Sequence, residues 1–354
     1  MGNLTAWRRE ICKLLLILSA LPAILLTPLP HSCPMLRILT LLLITLFLGC
    51  TGNADLREEL PFPAQASGQF ATKPKLILDT DTANEIDDLF AIARLLPDTS
   101  VDLLGINSAQ WFHVWSGDST VHQSQRLNEE LLTIAGRLDI PHPLGSDLIM
   151  GKPWGDYDPR PSPASDFIIE QVRALPEGEK LVVMPIGAAT NLASAIAIEP
   201  EIARKIVVYT LGFRYDLEGK FWNKDEFNIR RDLNAANFLL NQEDLELHIM
   251  PIDVAIEYTW QRSDVFTRLG QIGPMGDYLK RKWMERFAEN DSWVMWDVAL
   301  VQAFLHPEMA EKTTVLTPPE NTRRSVYMYT DIDFDGMYGD YWTTVDVLDA
   351  ASGF

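Results

Sequence analysis

KLILDTDTANEIDDLFAIARLL, residues 75–96, joins two periodicities in one stretch. KLILD (75–79) is an apolar run of strand length, whereas EIDDLFAIARLL (85–96) carries its apolar residues at helical spacing. Asp79, Asp81, Asp87 and Asp88 stand across that junction. Carboxylates so close repel one another unless a cation or protons intervene. An aspartate at a helix start often only caps free N–H groups and suits the helix dipole. That accounts for one or two of the four, not for Asp79 and Asp81 leaving the strand. The cluster therefore reads as a metal site, and its all-oxygen chemistry favours calcium or magnesium over zinc.

The alternation begun there continues along the chain. VDLLGINSA (101–109) reads as a strand and SQRLNEELLTIAGRL (124–138) as a helix. LVVMPIG (181–187) runs into ATNLASAIAI (189–198), again strand into helix, and KIVVYTLG (205–212), NAANFLL (234–240) and ELHIMPIDVA (246–255) extend the order. The expected fold is α/β: a mostly parallel open sheet with helices on both faces, binding ligands beyond the carboxyl ends of its strands. GKPWGDYDPRPSPASD (151–166) reads as a long functional loop, and the aromatic-rich, helical 260–296 as a cap over the sheet edge.

Bulk composition narrows the function. With 47% hydrophobic and 22% charged residues the chain is globular. A net charge of −19 and a pI near 4.7 argue against a nucleic-acid partner, which needs a basic face. The three cysteines, Cys12, Cys33 and Cys50, all lie at the front, so no disulfide, thiolate metal site or cysteine nucleophile exists beyond residue 50. None of the six histidines falls in an HExxH pattern, which disfavours histidine-bound zinc.

Residues 1–50 read as an export leader. Two apolar runs, 14–26 and 38–49, each follow basic residues, and both are shorter than a membrane span. Leu48-Gly49-Cys50 resembles the lipobox of bacterial lipoproteins, which implies a lipid anchor on Cys50 and export to a periplasmic or cell-surface position. Two starts, Met1 and Met35, are compatible with the stacked runs, and Met35 is the expected one. Residues 51–74 read as a polar tether and 75–354 as the α/β domain.

The residues of LDTDTANEIDD resemble the signature of the nucleoside hydrolases, an Asp-x-Asp, a short turn and an Asp-Asp pair. The turn here is two residues longer than the family's usual Pro-Gly form. GAATNLASAI (187–196), DEFNIRRDLNAA (225–236) and WDVALVQAFLHPE (296–308) are similar to three further family landmarks, in the family's order. The resemblance implies a calcium held by Asp81, Asp88, the backbone carbonyl of Thr190 and Asp297. It implies ribose hydroxyls held by Asp87, Glu226 and Asn228, with Asp81 also taking a proton from the attacking water. The implied partner is a small-molecule nucleoside; a homo-oligomer is compatible with the same reading.

The chain departs from the family where many members carry a histidine before the late aspartate. It has Trp296, which cannot donate a proton as an acid. His113 and His122 are the histidines left as candidate acids, and Trp111, His113 and Trp115 as candidates for a base pocket. A surface turn is the plainer reading of Glu226 and Asn228, and a helix cap that of Asp297. The competing function is a non-catalytic, calcium-dependent nucleoside- or ribose-binding protein. A phosphatase-like Asp-x-Asp-x-Thr is excluded because Ala83 stands where the threonine belongs. DIDFDG (331–336) reads as a strand end rather than a calcium loop, because Trp342 occupies the closing-glutamate position.

Overall fold

The computed structural model describes residues 73–117 and 119–346. The leader, Cys50 and nearly all of the tether lie outside the described residues.

Lys75–Thr80 forms β1, and its alternation sends Leu76 and Leu78 to one face and Ile77 to the other. Asp87–Leu95 forms α1. Then come β2 (Asp102–Ser108), α2 (Thr120–Ile134), α3 (Pro163–Arg173), β3 (Leu181–Pro185), α4 (Thr190–Ile198) and β4 (Ile206–Leu211). A small hairpin of β5 (Arg214–Asp216) and β6 (Phe221–Asn223) precedes α5 (Phe227–Arg231), α6 (Leu233–Leu240) and β7 (Glu246–Met250). The chain closes with α7 (Ile252–Ala255), β8 (Thr259–Gln261), α8 (Arg262–Leu269), α9 (Gly273–Phe287), β9 (Ser292–Val294), α10 (Trp296–Leu305), β10 (Ala310–Leu316), β11 (Ser325–Ile332) and α11 (Phe334–Val345).

Seven strands form one open sheet in the order β10-β11-β7-β4-β3-β1-β2. All neighbours are parallel except β10 and β11. The expected mostly parallel α/β sheet is thus observed. Leu181, Val183, Ile206 and Val208 pack with α3, α4 and α6 on one face; Val182, Met184, Val207 and Tyr209 pack with α1, α2 and the later helices on the other. From β1 the chain crosses to β2 on one side, whereas β3 lies on the other. The carboxyl ends of β1 and β3 therefore flank a topological switch point, where such sheets open a crevice.

Three stretches differ from their reading. ELHIMPIDVA is strand only to Met250, because Pro251 has no N–H for the ladder and instead starts α7. Residues 260–296 are helical in the middle but bracketed by β8 and β9, which pair antiparallel, and α9 packs on α1 and α2 rather than over a sheet edge. The β10–β11 edge went unread because β10 is mostly polar and partly exposed, as edge strands commonly are. Aspartates 331 and 333 of DIDFDG lie at the end of β11 and at the N-cap of α11, where Asp333 accepts from Gly336 N–H. The aromatics of the late segment are core: Trp260, Trp283 and Trp342 are fully buried, and Phe90 meets Trp260 and Trp283 edge-on.

Candidate active site

The turn leaving β1 is built by its own side chains. Asn84 N–H donates to the Asp81 carbonyl at 2.7 Å, and Ala83 N–H to Ser124 Oγ of α2 at 3.4 Å. The Thr80 hydroxyl donates to Asp88, and that of Thr82 to Asn128. The N-cap of α1 is Ile86, with no side-chain cap. Asp87 and Asp88 therefore stand in the first turn without serving as caps.

These residues open onto a cavity of ≈ 290 Å³. Asp81, Asp87 and Asp88 line it at the β1–α1 junction, Ile186 at the end of β3, Trp296 and Asp297 at the start of α10, and Glu226, Phe227 and Asn228 at the start of α5. Carboxylate oxygens of Asp87, Asp88 and Asp297 lie within 4.8 Å of one another. Asp297 N–H donates to Asp87 Oδ2 at 3.1 Å, joining residues 210 positions apart. Asp81 is buried beside them, and its Oδ2 has no hydrogen-bond partner.

Burial, then mutual repulsion, pushes the carboxyls of Asp81 and Asp297 well above the usual range. Burial, with repulsion between them, raises Asp87 to about 7; burial also raises Asp88 to about 7. Among the described residues no lysine or arginine lies within ion-pair distance of these four. Four buried carboxylates, one oxygen unpartnered and no pairing cation fit a hard divalent metal.

Gly187 leaves the room Asp81 occupies. A Cβ there would stand 2.8 Å from the Asp81 Cβ, Cγ and Oδ1. Gly187→Ala should displace that carboxylate and weaken metal affinity about tenfold or more, as read by titration calorimetry, at about one lost charge-assisted contact. Unchanged affinity would remove Asp81 from the metal shell.

The structure brings Asp81, Asp87, Asp88, Glu226, Asn228 and Asp297 to one cavity. Thr190 is not among them: it is buried, and its hydroxyl donates to Asp232 at 2.7 Å. The backbone at the wall is instead that of Ile186, whose carbonyl accepts from Asn228 Nδ2 at 2.8 Å. Glu226 caps α5, accepting from Asn228 N–H and Ile229 N–H at 3.1 Å each, so the surface-turn reading gives way to a buried cap facing the cavity. Asp232 also accepts from Met150 N–H and Ala235 N–H, so it caps α6 and ties it to the loop at Met150 and to α4. Asp79 does not line the cavity; it accepts from Asn191 Nδ2 at 2.8 Å, and burial raises it to about 7.

His113 lines the cavity, while His122 is exposed on α2. Trp111 packs against the core and Trp115 is 86% exposed; neither lines the cavity. Trp296 lines it, at the head of α10.

Several lining residues escaped the reading. Glu85, inside the longer turn, is half-buried with its enclosed Oε2 unpartnered, and desolvation followed by repulsion from Asp87 raises it to about 8. Arg286 of α9 does not itself line the cavity but donates to the carbonyls of two residues that do, Asn84 and Glu85. Arg214, Arg230 and Arg231 line the cavity, the last two directly after the Glu-x-Asn segment. That doublet was legible; the approach of Arg286 across 200 residues was not.

Known proteins resemble this chain in sequence and in fold. "Probable uridine nucleosidase 2" of Arabidopsis thaliana is 29% identical over 189 residues, 47% of this chain and 56% of that protein. The "Pyrimidine-specific ribonucleoside hydrolase RihB" of Escherichia coli (strain SE11) is 28% identical over 228 residues, 58% of this chain and 68% of its own. The match thus spans little more than half of the first relative's length. Among solved structures, a "Purine-Preferring Ribonucleoside Hydrolase from Gardnerella vaginalis" superposes with TM-score 0.60 at 19% identity, covering 78% of this chain and 99% of that one. A "Plant nucleoside hydrolase - PpNRh1 enzyme" gives 0.61 at 18%, covering 77% and 99%. At such identity these two speak for the fold. The sequence model of the inosine-uridine preferring nucleoside hydrolases matches residues 76–348, most of the chain. The chain therefore belongs to the inosine-uridine preferring nucleoside hydrolase family.

Proposed function

We propose that this protein hydrolyses the N-glycosidic bond of ribonucleosides or related N-ribosides, releasing base and ribose, with calcium as its metal. The observation that carries the reading is one cavity lined by buried carboxylates without an ion-pair partner and by Glu226 and Asn228. Asp81, Asp88 and Asp297 would hold the ion, with Ile186 rather than Thr190 supplying the nearest strand-end carbonyl. Bound calcium would supply positive charge that acidifies the attacking water. Asp81, with its unpartnered Oδ2, accepts that water's proton. Asp87, Glu226 and Asn228 orient the ribose, and the surrounding negative charge suits the oxocarbenium-like state reached as the base departs. Asp87 also belongs to the tight trio with Asp88 and Asp297, so it stands within reach of both ion and sugar.

The test is base and reducing-sugar release from a nucleoside panel, pyrimidine ribonucleosides first in view of the relatives' names, with and without chelator. Chelator-sensitive release supports the reading. Ribose bound tightly in calcium, with no nucleoside ever cleaved, would instead support a binding protein. Trp296 gives that second reading its footing, because its indole can stack on a base but cannot protonate one.

We place the protein outside the cytoplasm, held to a membrane through lipidated Cys50. Cys50→Ala should then leave the precursor uncleaved or shift it out of the membrane fraction. Complete extraction of the wild-type protein without detergent would count against the anchor.

A further inference from the structure

The proposed chemistry does not use the arginines of the cavity. Arg230 and Arg231 end α5, the short helix whose Glu226 and Asn228 face the sugar position, and Arg214 stands at the start of the β5–β6 hairpin. At a rise of about 1.5 Å per residue, Arg231 lies only about 4.5 Å along the helix from Asn228. Two of the three are tied back: Arg214 pairs with Asp253 at 3.0 Å and Arg230 with Asp225 at 2.9 Å.

Arg231 differs. Its guanidinium lies 4.6 Å over the Phe227 ring, and Nη1 donates to the Phe112 carbonyl at 2.7 Å. Its buried Nε has no partner, and among the described residues no carboxylate lies within ion-pair distance of it. Stacking and the Phe112 bond fix the plane of the fork, and the half-buried head lines the cavity. A guanidinium that lines a cavity without an ion-pair partner suits an oxyanion such as phosphate. A purely balancing role against the acidic floor would be expected to end in an ion pair, as Arg214 and Arg230 do at the rim.

We propose that Arg231, flanked by Arg214 and Arg230, forms a phosphate subsite, so that the preferred ligands are N-ribosides carrying a phosphate on the sugar. The ribose hydroxyls face the carboxylates and ion, while the phosphate lies on the α5 side of the cavity. The assignment of the sugar position rests on the function proposed above.

The test uses the full-length, calcium-saturated protein and titration calorimetry with ribose 5-phosphate and ribose. The wild type should bind ribose 5-phosphate about tenfold or more tightly than ribose, the effect of about one charge-assisted hydrogen bond. Arg231→Gln should lose most of that advantage, and Arg231→Lys should regain part of it, a point charge replacing a fork. Equal affinities in the wild type overturn the subsite, a comparison that needs no variant to fold. So does an advantage that persists in a folded Arg231→Gln protein. Ribose 5-phosphate has no base to lose, so the result is separable from turnover. A retained phosphate advantage without base release from any nucleoside or nucleoside 5′-monophosphate would sink the hydrolase reading and leave the subsite standing.

Discussion

Asp81→Asn should lower turnover by roughly 100- to 10,000-fold, the usual range for losing a general base. The substitution keeps an oxygen of similar size facing Gly187 and the metal position, so calcium binding should weaken far less than the rate. Measuring calcium stoichiometry and single-turnover rate on the same sample separates the two. Asp87→Ala tests the neighbouring assignment. It should retain calcium through Asp81, Asp88 and Asp297 but raise KM, and lower kcat as well if the sugar contacts tighten in the transition state. Asn228→Ala should behave in the same way. Because Asp87 shares the close trio with Asp88 and Asp297, this is the informative variant. Calcium lost from Asp87→Ala, together with full activity of Asp81→Asn, would exchange the two roles and leave the family membership untouched.

Removing the metal should make stability depend on pH in a particular direction. Asp87 and Asp88 are raised to about 7 and Glu85 to about 8 without a cation, against ordinary values near 4. In the metal-free protein the folded state therefore binds more protons than the unfolded chain between about pH 4 and pH 8. Their stabilisation is complete below the unfolded pKa and is lost as pH rises through the folded values. Each tenfold difference in proton affinity between the folded and unfolded chain is worth about 1.4 kcal/mol, so the loss for the cluster is on the order of several kcal/mol. At about 2–4 °C per kcal/mol for a domain of this size, Tm in chelator should fall by several degrees or more from pH 5 to pH 8. A calcium held by the ionised cluster, as proposed, would add about 2.7 kcal/mol at 100 times its Kd. The calcium-dependent rise in Tm should therefore grow with pH. A rise of equal size at pH 5 and pH 8 would mean that these carboxylates are not the ion's ligands.

How much of this was legible depended on whether the determining contacts were local. The junction of β1 and α1 could be read from periodicity because an apolar run and an amphipathic one meet within a dozen residues. Asp297 and the Glu226–Asn228 pair came from resemblance rather than spacing, since no local pattern links positions 81, 226 and 297. Position in a motif points to the carbonyl of Thr190 for the metal shell. In the structure its hydroxyl turns to Asp232, and the wall is reached earlier in the chain, at the strand-end peptide of Ile186. A backbone carbonyl has no residue signature, so the sequence could not choose between those peptides. The full charge of the cavity is hidden from local sequence for a related reason. Nothing in the local sequence sets Glu85 apart from its turn, and only the fold brings it beside Asp87.

The longer turn has a counterpart far along the chain. Arg286 donates to the carbonyls of Asn84 and Glu85, and α9 holds it there by packing on α1 and α2. Neither half makes sense alone. Cutting the turn back to the family's shorter form would strand a half-buried guanidinium beside the acidic floor. Deleting the arginine would free two peptide groups at the lip of the site. A chimera that imports a relative's β1–α1 junction into this chain would therefore have to import the facing helix as well. Across the family, the length of that junction and the residue at the position of Arg286 should change hands together, as one heritable unit.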